Sequence, residues 1–140
     1  MPVVEDTTRF DGIDMHALGN ALATPFYAYS ANAIRQRIVD LQHALLGMDA
    51  MVCFAVKANP TLAILQLMAK AGVGADIVSS GELRRSLRAG IPASKIVFSG
   101  VGKSDAEIAE ALDVGVGRFN VESADELEAL QRIAQQGGGI

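Results

Sequence analysis

Residues 51–60 read Met51-Val-Cys-Phe-Ala-Val-Lys57-Ala-Asn-Pro60, a short apolar run that stops at a lysine and turns towards a helix. A period of two puts Val52, Phe54 and Val56 on one face and Cys53, Ala55 and Lys57 on the other. The first face is bulky and suited to packing against helices. The second is small until it presents an amine at the C-terminal end of the strand. Asn59 is a good N-cap and Pro60 suits the first helical position, which predicts a helix over 61–71. In parallel α/β proteins chemistry gathers at the C-terminal ends of strands. Lys57 has two readings here: a strand-end lysine reaching solvent, or an amine beside a bulky bound group for which its small neighbours leave room.

Working outward, apolar strand candidates begin at equally spaced positions near Val52, Gly74, Ile96 and Arg118, with amphipathic segments between them. Leu62, Leu65 and Ala69 share one helical face, and Leu83 and Leu87 another with Arg84, Arg85 and Arg88 outward. Ser104-x-x-Glu107 and Ser123-x-x-Glu126 are capping boxes that open the next two helices. Short strands alternating with short helices predict a parallel sheet with right-handed crossovers. Equal spacing without a topological break favours a (β/α)8 barrel over an open doubly wound sheet. Such a barrel takes ~250 residues, and this chain has 140. The expected fold class is therefore α/β, a partial (β/α)8 TIM-type barrel of about four βα units.

Upstream, residues 1–23 show no strong period and read as an irregular lead-in. Thr24-Pro-Phe-Tyr-Ala-Tyr29 is aromatic-rich and predicts an extended, strand-like entry. Ser30 then caps a helix to about Leu46, with Gly47 as its C′ residue. The expected division is a lead-in over 1–29 and half a barrel over 30–140.

Half of the residues are hydrophobic and 20% are charged, enough apolar side chain for a packed core. A net charge of -4 with interspersed signs argues against nucleic acid or an anionic membrane surface as the main partner. No apolar run approaches the ~18 residues of a membrane span, and the N-terminus lacks a basic region followed by an apolar one. The single cysteine, Cys53, excludes an internal disulfide framework and makes a reducing, cytoplasmic setting the expectation. It reads as a packed core thiol or as a reactive one.

Ser99-Gly-Val-Gly102-Lys103-Ser104 approaches a phosphate loop, but the G-x-x-x-x-G-K-[ST] pattern needs glycine where Val97 stands. A plain βα turn explains it, although its glycines can still offer N–H groups to an anion. Gly74-Ala-Asp76-Ile-Val-Ser-Ser-Gly-Glu82 carries more information. Asp76 lies within a strand, where an unpartnered carboxylate is costly, and the strand neighbours that of Lys57. Glu82 falls in the first turn of the next helix, where it acts at the sheet edge or simply complements the helix dipole. Lys70, Lys95 and Lys103 have ordinary helix-end, strand-start and loop explanations. His16 and His43 lie away from the strand ends, so neither a histidine-based site nor a metal site is expected.

Taken together, FAVKANPTLAIL (54–65), GADIVSSGEL (74–83), KIVFSGVGK (95–103) and GRFNVES (117–123), with TPFYAYS (24–30) upstream, resemble the N-terminal part of the diaminopimelate decarboxylase family. These are pyridoxal-phosphate enzymes whose barrel is shared with ornithine and arginine decarboxylases and alanine racemase. The order and spacing of the motifs match from about Thr24 to Leu130. The absence of the Tyr-Gly continuation after VKAN favours the decarboxylases over the racemases, and SGVGK with RFNVES favours the diaminopimelate branch. The resemblance implies pyridoxal 5'-phosphate as cofactor, Lys57 as the lysine bonded to it, and Asp76 and Glu82 as acidic positions nearby. It further implies a small amino-acid substrate, meso-diaminopimelate converted to L-lysine, and a homodimer for the full-length protein. A decarboxylase for another basic amino acid and a non-catalytic, decarboxylase-like binding module remain alternatives. The family's ring-stacking histidine, phosphate-binding glycines and pyridine-nitrogen acid have no counterpart among these residues. The 140 residues alone are therefore expected to lack activity and to hold cofactor weakly.

Overall fold

The computed structural model describes residues 8–137, which divide into two compact units, Met1–His43 and Ala44–Ile140. In the first unit, β1 (Arg9–Phe10) and β2 (Ile13–Asp14) form an antiparallel hairpin. Its turn is Asp11-Gly12, both at positive φ (53° and 80°), the backbone that a two-residue hairpin demands and that Asp-Gly tolerates. Asp14 then caps α1 (Met15–Ala21), its carboxylate accepting the N–H groups of His16 (2.8 Å) and Ala17 (3.1 Å). The irregular lead-in expected for residues 1–23 is thus corrected over the described part. The signal was the Asp-Gly pair followed by a capping aspartate. Residues 1–7 lie outside the described residues.

Thr24–Tyr29 is not a strand. No β partner is present among the described residues, the Thr24-Pro25 peptide is cis, and the Tyr27 and Tyr29 rings stack on each other (centroids 6.4 Å apart) while exposed. Aromatic content suggested a sheet surface that this segment lacks. Ser30 does cap the next helix, its hydroxyl accepting the Ala33 N–H at 3.0 Å, and α2 runs Ala31–Ala44. Ile38 is its buried residue, and Gly47 takes the left-handed conformation (φ 85°) just beyond its end.

The second unit carries the predicted architecture. Strands β3 (Cys53–Ala55), β4 (Gly74–Ile77), β5 (Ile96–Phe98) and β6 (Arg118–Phe119) form one sheet in sequential order, every pair parallel. Helices α3 (Leu62–Lys70), α4 (Ser80–Arg88), α5 (Asp105–Asp113) and α6 (Ala124–Gln136) follow them in turn. Sequential parallel order with one helix per strand is the arrangement of successive units in a (β/α)8 barrel, and four such units make this a partial one.

Alternation decides what each face meets. Ala75, Ile77, Ile96 and Phe98 are fully buried beneath the helices, with Leu65, Leu83 and Ile108 from the helical side. In between, Asp76 and Val97 are half-buried and face the other way. Gly74 is required by close approach: a Cβ there would run into the Lys95 carbonyl and come within 2.9 Å of the Cys53 sulfur. The helix layer is laced by the bidentate Arg84–Glu110 pair (2.7 and 2.9 Å) and by Arg132–Asp105 (2.9 Å).

Candidate active site

The site is built at the C-terminal edge of the sheet. β3 is shorter than its alternation suggested: it ends at Ala55, and Val56–Ala58 close into a single 3₁₀ turn. Lys57 therefore sits on a turn rather than at the last pleat, and it is exposed. The helix also starts later than expected. Thr61 is the N-cap residue, and Asn59 acts two residues ahead of it, its side-chain oxygen accepting the Thr61 N–H at 3.1 Å. Pro60 thus lies outside the helix, because the 3₁₀ turn uses the residues that would have led directly into it.

Asp76 is in register with Ala55, two residues before Lys57, on the adjacent strand. The same row continues through Val97 to Arg118. One of the Asp76 carboxylate oxygens, Oδ1, is buried and has no hydrogen-bond partner. Burial pushes the Cys53 thiol up, the Asp76 carboxylate adds to this, and Arg118 opposes it. The concave face thus holds a thiol, a carboxylate and a guanidinium within electrostatic reach of one another.

Glu82 serves the start of α4. Its Oε2 accepts the Val78 N–H at 2.8 Å, while the Ser79 hydroxyl accepts the Glu82 N–H at 3.3 Å. The serine cap is repeated at Ser104 and Ser123, but only Ser104/Glu107 forms the reciprocal capping box; at Ser123 the glutamate, like Glu82, accepts the N–H of the residue before the serine (Glu122, 3.4 Å). Glu107 also reaches the Ser80 N–H of the preceding unit at 3.3 Å. The backbone N–H of Ser104, with further help from its hydroxyl and from Ser80, holds the Glu107 carboxyl below its ordinary range against the opposing effect of burial.

Two features escaped sequence reasoning. Lys103 is no loose loop lysine: its side chain is 2% exposed and ion-paired with Glu126, itself 10% exposed. Ser99 and Asn120 are joined side chain to side chain, the carboxamide N–H donating to the hydroxyl at 2.9 Å. Glu126 was legible as a capping glutamate, but nothing in the local sequence ties it to a lysine in another loop.

The residues present fit a pyridoxal phosphate group. Lys57 offers an accessible amine, Asp76 an unpartnered buried acceptor, and Cys53, Ala55 and Gly74 a floor of small residues. Among the described residues no group of three or more His, Cys, Asp or Glu is placed to hold a metal ion, and no helix is long and apolar enough to cross a membrane.

Residues 31–138 match the family described as pyridoxal-dependent decarboxylase, pyridoxal binding domain. The chain is 48% identical over 128 residues to a diaminopimelate decarboxylase of Pseudomonas aeruginosa, covering 91% of this chain and 31% of that protein. It is 45% identical over 131 residues to one of Zymomonas mobilis, again covering 91% and 31%. A crystal structure from Aquifex aeolicus superposes with a TM-score of 0.89 at 42% identity, covering 93% of this chain and 32% of the other. That of the Helicobacter pylori diaminopimelate decarboxylase complexed with L-lysine gives 0.86 at 44% identity, covering 89% and 32%. The chain thus spans about a third of the length of these relatives. With the match running through α2 and all four βα units, this chain belongs to the pyridoxal-dependent decarboxylases, as part of their pyridoxal-binding domain.

Proposed function

We propose that the protein containing this chain decarboxylates meso-diaminopimelate to L-lysine with pyridoxal phosphate bonded to Lys57. The observation that carries the reading is an exposed amine just beyond β3 together with an unpartnered, buried Asp76 oxygen on the adjacent strand, in register with Ala55. It occurs in a chain nearly half identical to diaminopimelate decarboxylases. When bound, the cofactor supplies an electron sink for the carbon freed by loss of CO₂. The chain's own residues supply attachment and orientation. Lys57 brings an amine that can attack a carbonyl in its neutral form. Asp76, on the strand next to that of Lys57, offers its unpartnered oxygen as acceptor to a donor held against β4. Glu82 fixes the entry of α4, and with it the loop after β4 at the C-terminal edge of the sheet, where the cofactor would be held. Cys53, Ala55 and Gly74 leave room for a planar ring.

The same reading makes the substrate a small amino acid, the full-length protein a homodimer and its setting the cytoplasm, as expected for an amino-acid biosynthetic enzyme. Residues 1–140 taken alone should hold cofactor weakly, since β6 is paired on one side only among the described residues.

The test uses the whole protein with added pyridoxal phosphate. Cofactor retained through gel filtration, trapped by borohydride on the peptide bearing Lys57, and CO₂ released from meso-diaminopimelate in preference to ornithine or arginine are expected. Lys57→Ala should abolish all three. Retention without CO₂ release from any of these amino acids would favour a non-catalytic binding module, and preference for ornithine or arginine would reassign the substrate.

A further inference from the structure

The Lys103 ammonium has three N–H donors, and each is used. It donates to the Gly100 carbonyl (2.9 Å), to the Asn120 carbonyl (2.7 Å) and to the Glu126 carboxylate. It also stands 5.7 Å from the centroid of the Phe98 ring, whose residue is fully buried on the helix side of β5. One buried cation thus ties together the loop after β5, the loop after β6 and the first turn of α6. Glu126 in turn accepts the Glu122 N–H at 3.4 Å, closing the connection within the β6–α6 loop.

What this clamp holds in place lies on the opposite face. The parallel ladder continues one residue past β5 and β6, with the Ser99 N–H donating to the Ile77 carbonyl (2.8 Å) and the Asn120 N–H to the Phe98 carbonyl (2.9 Å). By alternation Ser99 shares the face of Val97, and Asn120 that of Arg118. Both are two residues beyond the Ala55–Asp76–Val97–Arg118 row, the same step that separates Lys57 from Ala55. Their mutual hydrogen bond leaves the Ser99 O–H as a donor and the Asn120 side-chain carbonyl as an acceptor.

We propose that Lys103 is a positioning residue: by gripping the Asn120 and Gly100 carbonyls from the helix side, it holds Ser99 and Asn120 on the concave face as a subsite for the zwitterionic amino-acid substrate. A neutral donor beside a neutral acceptor suits a group that carries both a carboxylate and an ammonium. A phosphate would require donors throughout. This inference rests on the proposed function for its substrate, but the clamp itself can be read without turnover.

The experiment uses the whole protein. Asn120→Ala should raise KM for meso-diaminopimelate about tenfold, the equivalent of one lost hydrogen bond, with cofactor retention through gel filtration unchanged. Lys103→Met alone strands a buried carboxylate and can fail to fold, so the deciding variant is the pair Lys103→Met with Glu126→Gln. That pair should raise KM to a similar extent, add no further increase on top of Asn120→Ala, and speed hydrogen exchange at the Asn120 amide about tenfold without cofactor or substrate. Lys103→Arg, which keeps the cation, should restore KM to within about threefold of the parent. An unchanged KM in the pair variant, losses that add to those of Asn120→Ala, or loss of cofactor retention in place of the KM effect would each overturn the assignment. If the parent itself releases no CO₂ from diaminopimelate, the proposed function fails, while exchange at Asn120 still decides whether Lys103 is the clamp.

Discussion

Replacing Ser86 by alanine should stabilise the protein. Ser86 lies within α4, is fully buried, and its hydroxyl has no hydrogen-bond partner. Its backbone carbonyl is already served by the Ile91 N–H at 3.1 Å, so the substitution touches only the side chain. A buried hydroxyl left unpaired costs about 1–3 kcal/mol, which the alanine would recover. Alanine is also the better helix former, by about 0.5 kcal/mol. Against this stands a void one oxygen in size, worth about 0.3 kcal/mol at the cost per unit of cavity volume seen in other cores. The net gain is about 1–3 kcal/mol. It is read as an increase in the denaturant midpoint of the whole protein, with an unchanged slope. Ser86→Gly provides the control: it removes the same hydroxyl but should fall about 1 kcal/mol below Ser86→Ala, since glycine surrenders more backbone entropy in a helix. A midpoint that falls on Ser86→Ala would refute the reasoning, because it would mean that the hydroxyl is bonded in solution.

Gly74→Ala should lose at least 1–3 kcal/mol, the usual cost of overpacking, because the new Cβ meets the Lys95 backbone as well as the more yielding Cys53 side chain; the denaturant midpoint and soluble yield report it. Asp76→Ala should weaken retention of pyridoxal phosphate through gel filtration while leaving the fold intact by circular dichroism, since its buried oxygen has no partner to lose within the chain. Glu107 sets a pH dependence: its carboxyl is held below the ordinary range, chiefly by the Ser104 N–H, so its folded pKa is lower than its unfolded one. Its stabilisation is present above the unfolded value and is lost as pH falls through the folded value. Parent and Glu107→Gln midpoints should therefore differ near neutral pH and converge in acid, once pH has fallen below the ordinary glutamate range and through the lower folded value; a constant difference across that range would count against the assignment.

The parallel order of β3 to β6 was legible in the chain because an apolar run every βα unit, with serine-capped helices between, has few ways to bury itself. Lys57, Asp76 and Glu82 could be singled out for the same reason: period-two alternation and helix starts are local properties. The hairpin at Asp11-Gly12 was also local and was overlooked, whereas Thr24–Tyr29 had the composition of a strand but no partner to pair with among the described residues. Pairing is not a property of a segment. Tertiary structure alone decided the rest. The close of β3 at Ala55 moved Lys57 onto a turn, and packing of α5 beside α4 brought the Glu107 carboxylate to the Ser80 N–H. The Lys103 ammonium found its acceptors at Gly100, Asn120 and Glu126, residues that only the folded sheet brings together. A side chain's spacing along the chain predicts which face it occupies. Whether its charge is stranded, paired or clamped depends on groups from other units, and those meet only when the sheet closes against its helices.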